Sequence, residues 1–187
     1  MRAWTSTLTG TTITALAAVT LLGACSEPEP AKAGPVEAQA WASSICGAVK
    51  PWQTEIQRLQ GEARQKITTE SDAVQTKIEL VSLFGGMEKS TATALSKVAK
   101  AGVPDVTDGD KIAGQFVQAL TAARESFDKG RDAVEKLPTA NKATFDTGVA
   151  SVRDLMNQEN TKAGEAIGQI TSPELDKALE TAPECKG

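Results

Sequence analysis

Few kinds of side chain in this 187-residue sequence can do chemistry. Cysteines stand at positions 25, 46 and 185, and histidine and tyrosine are both absent. Without imidazole the chain lacks the commonest general base and the commonest transition-metal ligand. That excludes Ser-His-Asp and Cys-His catalysis, together with most zinc sites. Carboxylates are the remaining acids and bases, and two placements stand out. Asp105, Asp108 and Asp110 surround Gly109 in a connector. A calcium loop of the EF-hand kind needs acids at strict alternating positions and a closing glutamate, which this segment lacks, so it reads as a solvated turn with helix-capping acids. Glu159 falls at an inward position of an otherwise apolar face. A carboxylate there either meets a ligand or marks a helix break or a slipped stripe, and the break or slip is the simpler reading. No catalytic residue, cofactor or metal set emerges, and ligand-binding residues stay unassigned.

The elements that must position these groups are helical almost throughout, from Val36 to the C-terminus. Trp41, Ile45, Val49, Trp52, Ile56 and Leu59 repeat at spacings of three and four, with Pro51 predicting a kink or break against Gly47. Both tryptophans read as core anchors. A second helix is expected from Thr69 or Ser71, where Thr69 and Asp72 resemble a capping box, to Gly102. Its apolar set is Val74, Ile78, Val81, Phe84, Met87, Ala94 and Val98, with Gly85-Gly86 permitting close helix contact, a bend or a cavity. A third helix carries the clearest stripe, Ile112, Phe116, Leu120, Ala123, Phe127, Gly130, Val134 and Leu137. A fourth carries Phe145, Val149, Val152 and Met156, then Ala163, Ile167 and Ile170. A short last helix starts with Ser172 as N-cap and Pro173 in its first turn. The expected fold is all-α, an antiparallel bundle of four main helices with a short C-terminal helix. The glycines within these helices follow no strand and no phosphate-loop order, so they are read as sites of close packing. Alternating charges such as Arg131-Asp132 read as a solvated face.

The N-terminal segment is of a different kind. Arg2 and a Thr/Ser-rich lead precede an apolar run from Ile13 to Leu22, matching a signal-peptide core and too short to span a bilayer. The run ends in Leu22-Gly23-Ala24-Cys25. This resembles the lipobox of bacterial lipoproteins, a branched apolar residue and two small residues before cysteine. The resemblance implies cleavage after residue 24 and a diacylglyceryl group on Cys25 as the mature N-terminus. Residues 25–35 then form the lipidated cysteine and a flexible linker, rich in proline, glutamate and alanine, that cannot bury enough surface to order itself. Extended at about 3 Å per residue, it holds the domain on the order of 30 Å from the headgroups. Residues 36–187 are the helical domain.

On this reading Cys46 and Cys185 are left in an oxidising compartment, where two cysteines usually pair. A disulfide closing so long a loop stabilises by about 5 kcal/mol in the chain-entropy model. The chain carries 20 basic and 24 acidic residues, a net charge of −4. Loss of residues 1–24 removes Arg2 and leaves −5. An acidic balance argues against nucleic acid and against polybasic membrane binding. Composition and layout resemble the small, alanine-rich helical lipoproteins of actinobacteria. The expected function is a non-catalytic interaction or structural module on the extracytoplasmic face of the cell membrane. Its partners would be membrane lipid, through Cys25, and an envelope protein or glycan; the oligomeric state is left open. The alternative is a carrier or sensor holding a small apolar ligand inside the bundle. Because the stripes read as continuous seams, no enclosed pocket of about 300 Å³ is expected.

Overall fold

The computed structural model describes residues 35–168 and 172–186. The leader, Cys25 and most of the linker lie outside the described residues, as does Ile170. The domain is all-α apart from one parallel pairing of two-residue strands: β1 (Pro35–Val36), α1 (Ala38–Lys66), α2 (Ala73–Lys100), β2 (Val103–Pro104), α3 (Gly109–Glu135), α4 (Lys142–Gly168) and α5 (Pro173–Thr181), closed by a 3₁₀ turn at Pro183–Cys185. None of the described helices is long and apolar enough to cross a membrane.

Successive long helices pack antiparallel to one another among the described residues. Along α1 and α2, Trp41 pairs with Gly102, Trp52 with Thr91, and Leu59 lies over Gly86. Along α2 and α3, Glu88 meets Arg131, Phe84 lies over Gly130, and the Lys77 ammonium donates to the Leu137 carbonyl at 2.9 Å. Along α3 and α4, Ser126 faces Met156 and Leu137 lies over Gly148. No extensive seam joins α1 to α4 among the described residues; α5 packs on α1 instead.

Local chemistry sets the boundaries. Asp72, not Thr69, caps α2 by accepting from the Gln75 amide at 2.7 Å. The Ser71 hydroxyl is instead engaged within the turn, accepting from the Thr68 amide. The α2 C-terminus turns through Gly102, whose φ of 80° is a conformation that glycine adopts without a Cβ penalty. Helix α1 runs through Pro51 without interruption, so the expected break does not occur. Asp108 is itself left-handed, with φ 60°, and its side chain makes no cap hydrogen bond, so the capping role expected of these acids fails there. At Gly109 a Cβ would collide with the Pro104 carbonyl, which fixes glycine at the start of α3.

Two larger buried clusters, beside a small one of Ala42, Ala178 and Ala182, make up the core among the described residues. One gathers Trp41, Ile45, Ala94, Val98, Ile112, Leu120 and Leu175 around the end where Pro35 enters. Trp41 is 1% exposed, meets Phe116 edge-on at 5.4 Å, and donates its indole N–H to the Gly102 carbonyl at 3.0 Å. Phe116 itself is only half-buried. The other cluster, at the opposite end, contains Met87, Phe127, Val134, Val152 and Met156. Val74 and Ile78, expected in the core, are 52% and 56% exposed.

Candidate functional site

The Cys46 and Cys185 side chains form a disulfide, with Cα atoms 5.1 Å apart. The short last helix α5 brings Cys185 to α1: Ser172 accepts from the Leu175 amide at 3.4 Å, Leu175 is buried, and Ala178 and Ala182 pack on Ala42. Small residues on both sides bring the two segments close enough for the thiols to meet. The neighbouring Ser43 side chain, and next the Glu184 backbone amide, hold the Glu184 carboxyl below its ordinary value. The chain enters at this same end. The Asp105 amide donates to the Val36 carbonyl at 2.7 Å, and Pro35 and Val36 pair with Val103 and Pro104. Pro35 therefore belongs to the folded domain, one residue earlier than the linker boundary at 35 drawn from composition.

Glu159 does not break its helix; α4 continues to Gly168. Its carboxylate lies 3.7 Å from the Lys129 ammonium of α3, with the side chain 22% exposed. A half-buried acid bridging two helices replaces the isolated inward acid read from the sequence. The charges at Arg131 likewise do more than solvate a face. The guanidinium pairs with Glu88 across to α2 and with Asp128 on its own helix, its side chain 30% exposed. Asp105, Asp108 and Asp110 join no cluster of three or more metal-capable side chains among the described residues.

The sequence reading missed an apolar concave surface. A groove of about 280 Å³ is lined by Leu80, Leu83, Phe84, Met87, Val152 and Met156, with Gln60, Arg153 and Asn157 at its rim. It shares Gln60, Leu80 and Leu83 with a second depression of about 350 Å³ that reaches Ala63, Arg64 and Ile67 on α1. Together they form one open apolar trough between α1 and α4, floored by α2 and α3. Its cause is local. A Cβ at Gly130 would stand 2.9 Å from the Met156 sulfur and 3.0 Å from Phe84, so the absent side chain lets α2, α3 and α4 converge there. Leu137 presses onto Gly148 in the same way. These contacts draw α4 onto α3, and no extensive α1–α4 seam forms among the described residues. The readable signal was a second apolar row on α2 through Leu80 and Leu83, beside the row that included the exposed Val74 and Ile78.

Another groove, of about 340 Å³, lies between α1 and α2 beside Trp52. Two of its polar groups are held by neighbours. The Trp52 indole donates to Thr91 at 2.9 Å, and Glu55 pairs with Arg58, which keeps the Glu55 carboxyl below its usual range.

The described residues thus define a disulfide-closed helical domain with an open apolar trough and no converging acid, base or nucleophile within it. Comparison with known proteins adds no relative: no protein family, no curated protein and no solved structure matches the chain.

Proposed function

We propose that the protein is an extracytoplasmic lipoprotein, anchored to the cell membrane through diacylglyceryl-Cys25, that serves as a non-catalytic interaction or structural module of the cell envelope. Its four long helices act as an antiparallel bundle left open along one side. The observation that carries the reading is the placement of two features at opposite ends. The linker enters beside the disulfide at one end, and the apolar trough lies toward the other. A tether attached at the disulfide end leaves the trough clear of the attachment point.

A carrier of a small apolar ligand is the second reading, favoured by the aliphatic, methionine-containing floor of the trough. It ranks lower because ligand sites of that kind bury most of their ligand's surface, whereas this trough is open along its length. Anchorage is tested by inhibiting the lipoprotein signal peptidase with globomycin, which should leave the leader attached. The Cys25→Ala protein should leave the membrane fraction. Retention of that variant on the membrane to the same extent as the parent would contradict the anchor.

A further inference from the structure

We infer that the trough between α1 and α4 is a docking site for an amphipathic helix of a partner protein, one whose apolar face is flanked by carboxylates. Three observations lead there. First, the walls are two helices that lack a seam with each other, while the floor is already packed. The shape complementary to a missing helix–helix seam is a helix, seated through apolar residues at i, i+3 or i+4, and i+7.

Second, the trough has the right length. It runs along α4 from Val149 to Asn157, which is about 12 Å at 1.5 Å per residue, or two turns of a docked helix. Two turns present three or four apolar anchors. Leu80, Leu83, Val152 and Met156 offer aliphatic and thioether surface to receive them.

Third, the rim is selective in charge. The chain has more acidic than basic residues, yet the lining contains Arg64 on one wall and Arg153 on the other and no carboxylate at all. Arg64 has no ion-pair partner among the described residues, and Arg153 faces only Asp154 at 3.6 Å, on an exposed surface. Two exposed cations, one on each wall of an apolar trough, repel a basic helix and favour an acidic one. Such rim charges act mainly on partner choice and on association rate.

Only the location of the site outside the cell membrane rests on the lipoprotein reading; the docking itself can be tested in solution without it. A convenient reporter is built in. Of the three methionines, Met1 belongs to the leader, and Met87 and Met156 both line the trough. Methyl-labelled methionine in the chain from residue 25 onward, carrying C25S, therefore gives two resonances, both in the trough. The probes are a synthetic helical peptide with leucine at i, i+3, i+4 and i+7 and glutamate elsewhere, and its counterpart with lysine in place of glutamate.

The expected result is that the glutamate peptide shifts both methyls and binds more tightly than the lysine peptide. The R64E/R153E double variant should weaken the glutamate peptide by roughly tenfold and reverse the preference. R64Q/R153Q should fall between, and since both arginines are exposed, each variant should keep the parent circular dichroism spectrum. Equal binding of both peptides would overturn the charge selection. Shifts produced by dodecanoate but by neither peptide would overturn the helix in favour of a small amphiphile. Shifts that grow with protein concentration in the absence of any probe would assign the trough to a second copy of the chain.

Discussion

At the end of the domain where Pro35 enters, Trp41 is 1% exposed, its indole N–H is satisfied by Gly102, and the Cys46–Cys185 bond ties α1 to the C-terminal turn. At the other end Leu80 and Leu83 are only half-buried, Val74 and Ile78 face solvent, and no covalent link joins the elements. Both ends use the same antiparallel helices and the same kinds of apolar residue. The difference lies in closure. At the entry end a fifth helix and a strand pair cover the face that α1 would otherwise leave open. At the far end nothing among the described residues plays that part, and glycines at 130 and 148 hold α4 on α3 instead. A helical domain of this kind can be stable at one end and receptive at the other.

The sharpest way to break that contrast is to remove the anchor of the closed end. Trp41→Ala should lower the unfolding free energy by about 3–5 kcal/mol in urea denaturation, because it deletes a fully buried indole and leaves the Gly102 carbonyl unpaired. A loss below about 1 kcal/mol would mean that the closed end does not dominate stability. The C46S/C185S double variant should cost about 2–4 kcal/mol in the same assay. The trough should survive it, since the disulfide and Leu83 lie in separate clusters. Methionine methyl resonances that stay in place would show that survival directly.

At the open end, Gly130→Ala should destabilise by about 1–3 kcal/mol even though alanine is the better helix former. Its Cβ would stand 2.9 Å from the Met156 sulfur and 3.0 Å from a Phe84 ring atom, so the α2–α3–α4 junction must spread. A stabilised variant would show that α4 is not held by close packing at this glycine. The smallest effect concerns Ser43→Ala. The Ser43 hydroxyl lowers the Glu184 pKa, so this carboxylate favours the folded state above its unfolded value of 4.5 and loses that contribution as pH falls through the lower folded value. In a carboxyl-carbon NMR titration the variant's Glu184 midpoint should rise toward 4.5, and an unchanged midpoint would remove Ser43 as the cause.

Much of the helical layout was legible because amphipathic periodicity is a strong signal over long segments. The stripe from Ile112 to Val134 and the Ser172 cap both occupy the positions that their spacing implied. The α2 face was misjudged because that helix contacts three others. It carries two apolar rows, and a single stripe placed Val74 and Ile78 inside and omitted Leu80 and Leu83. The partner of Glu159 could not be read from α4 alone, since Lys129 belongs to another helix and is brought near only by the α3–α4 register. The trough was hidden for the same reason. It arises from a seam that does not form, and single-helix periodicity carries no record of which neighbours are missing.

Native-state hydrogen exchange on the chain from residue 25 onward, carrying C25S and with its disulfide intact, tests the contrast between the two ends most directly. Exchange by local opening follows the free energy of each cooperative region. Amides around Ile45, Val98 and Leu120 should open only with an energy close to that of global unfolding, whereas those around Ala63, Leu80 and Val149 should open at clearly lower cost. Equal protection of the two sets, or stronger protection around Leu80 and Val149, would contradict a domain that is closed at its entry end and open at the other.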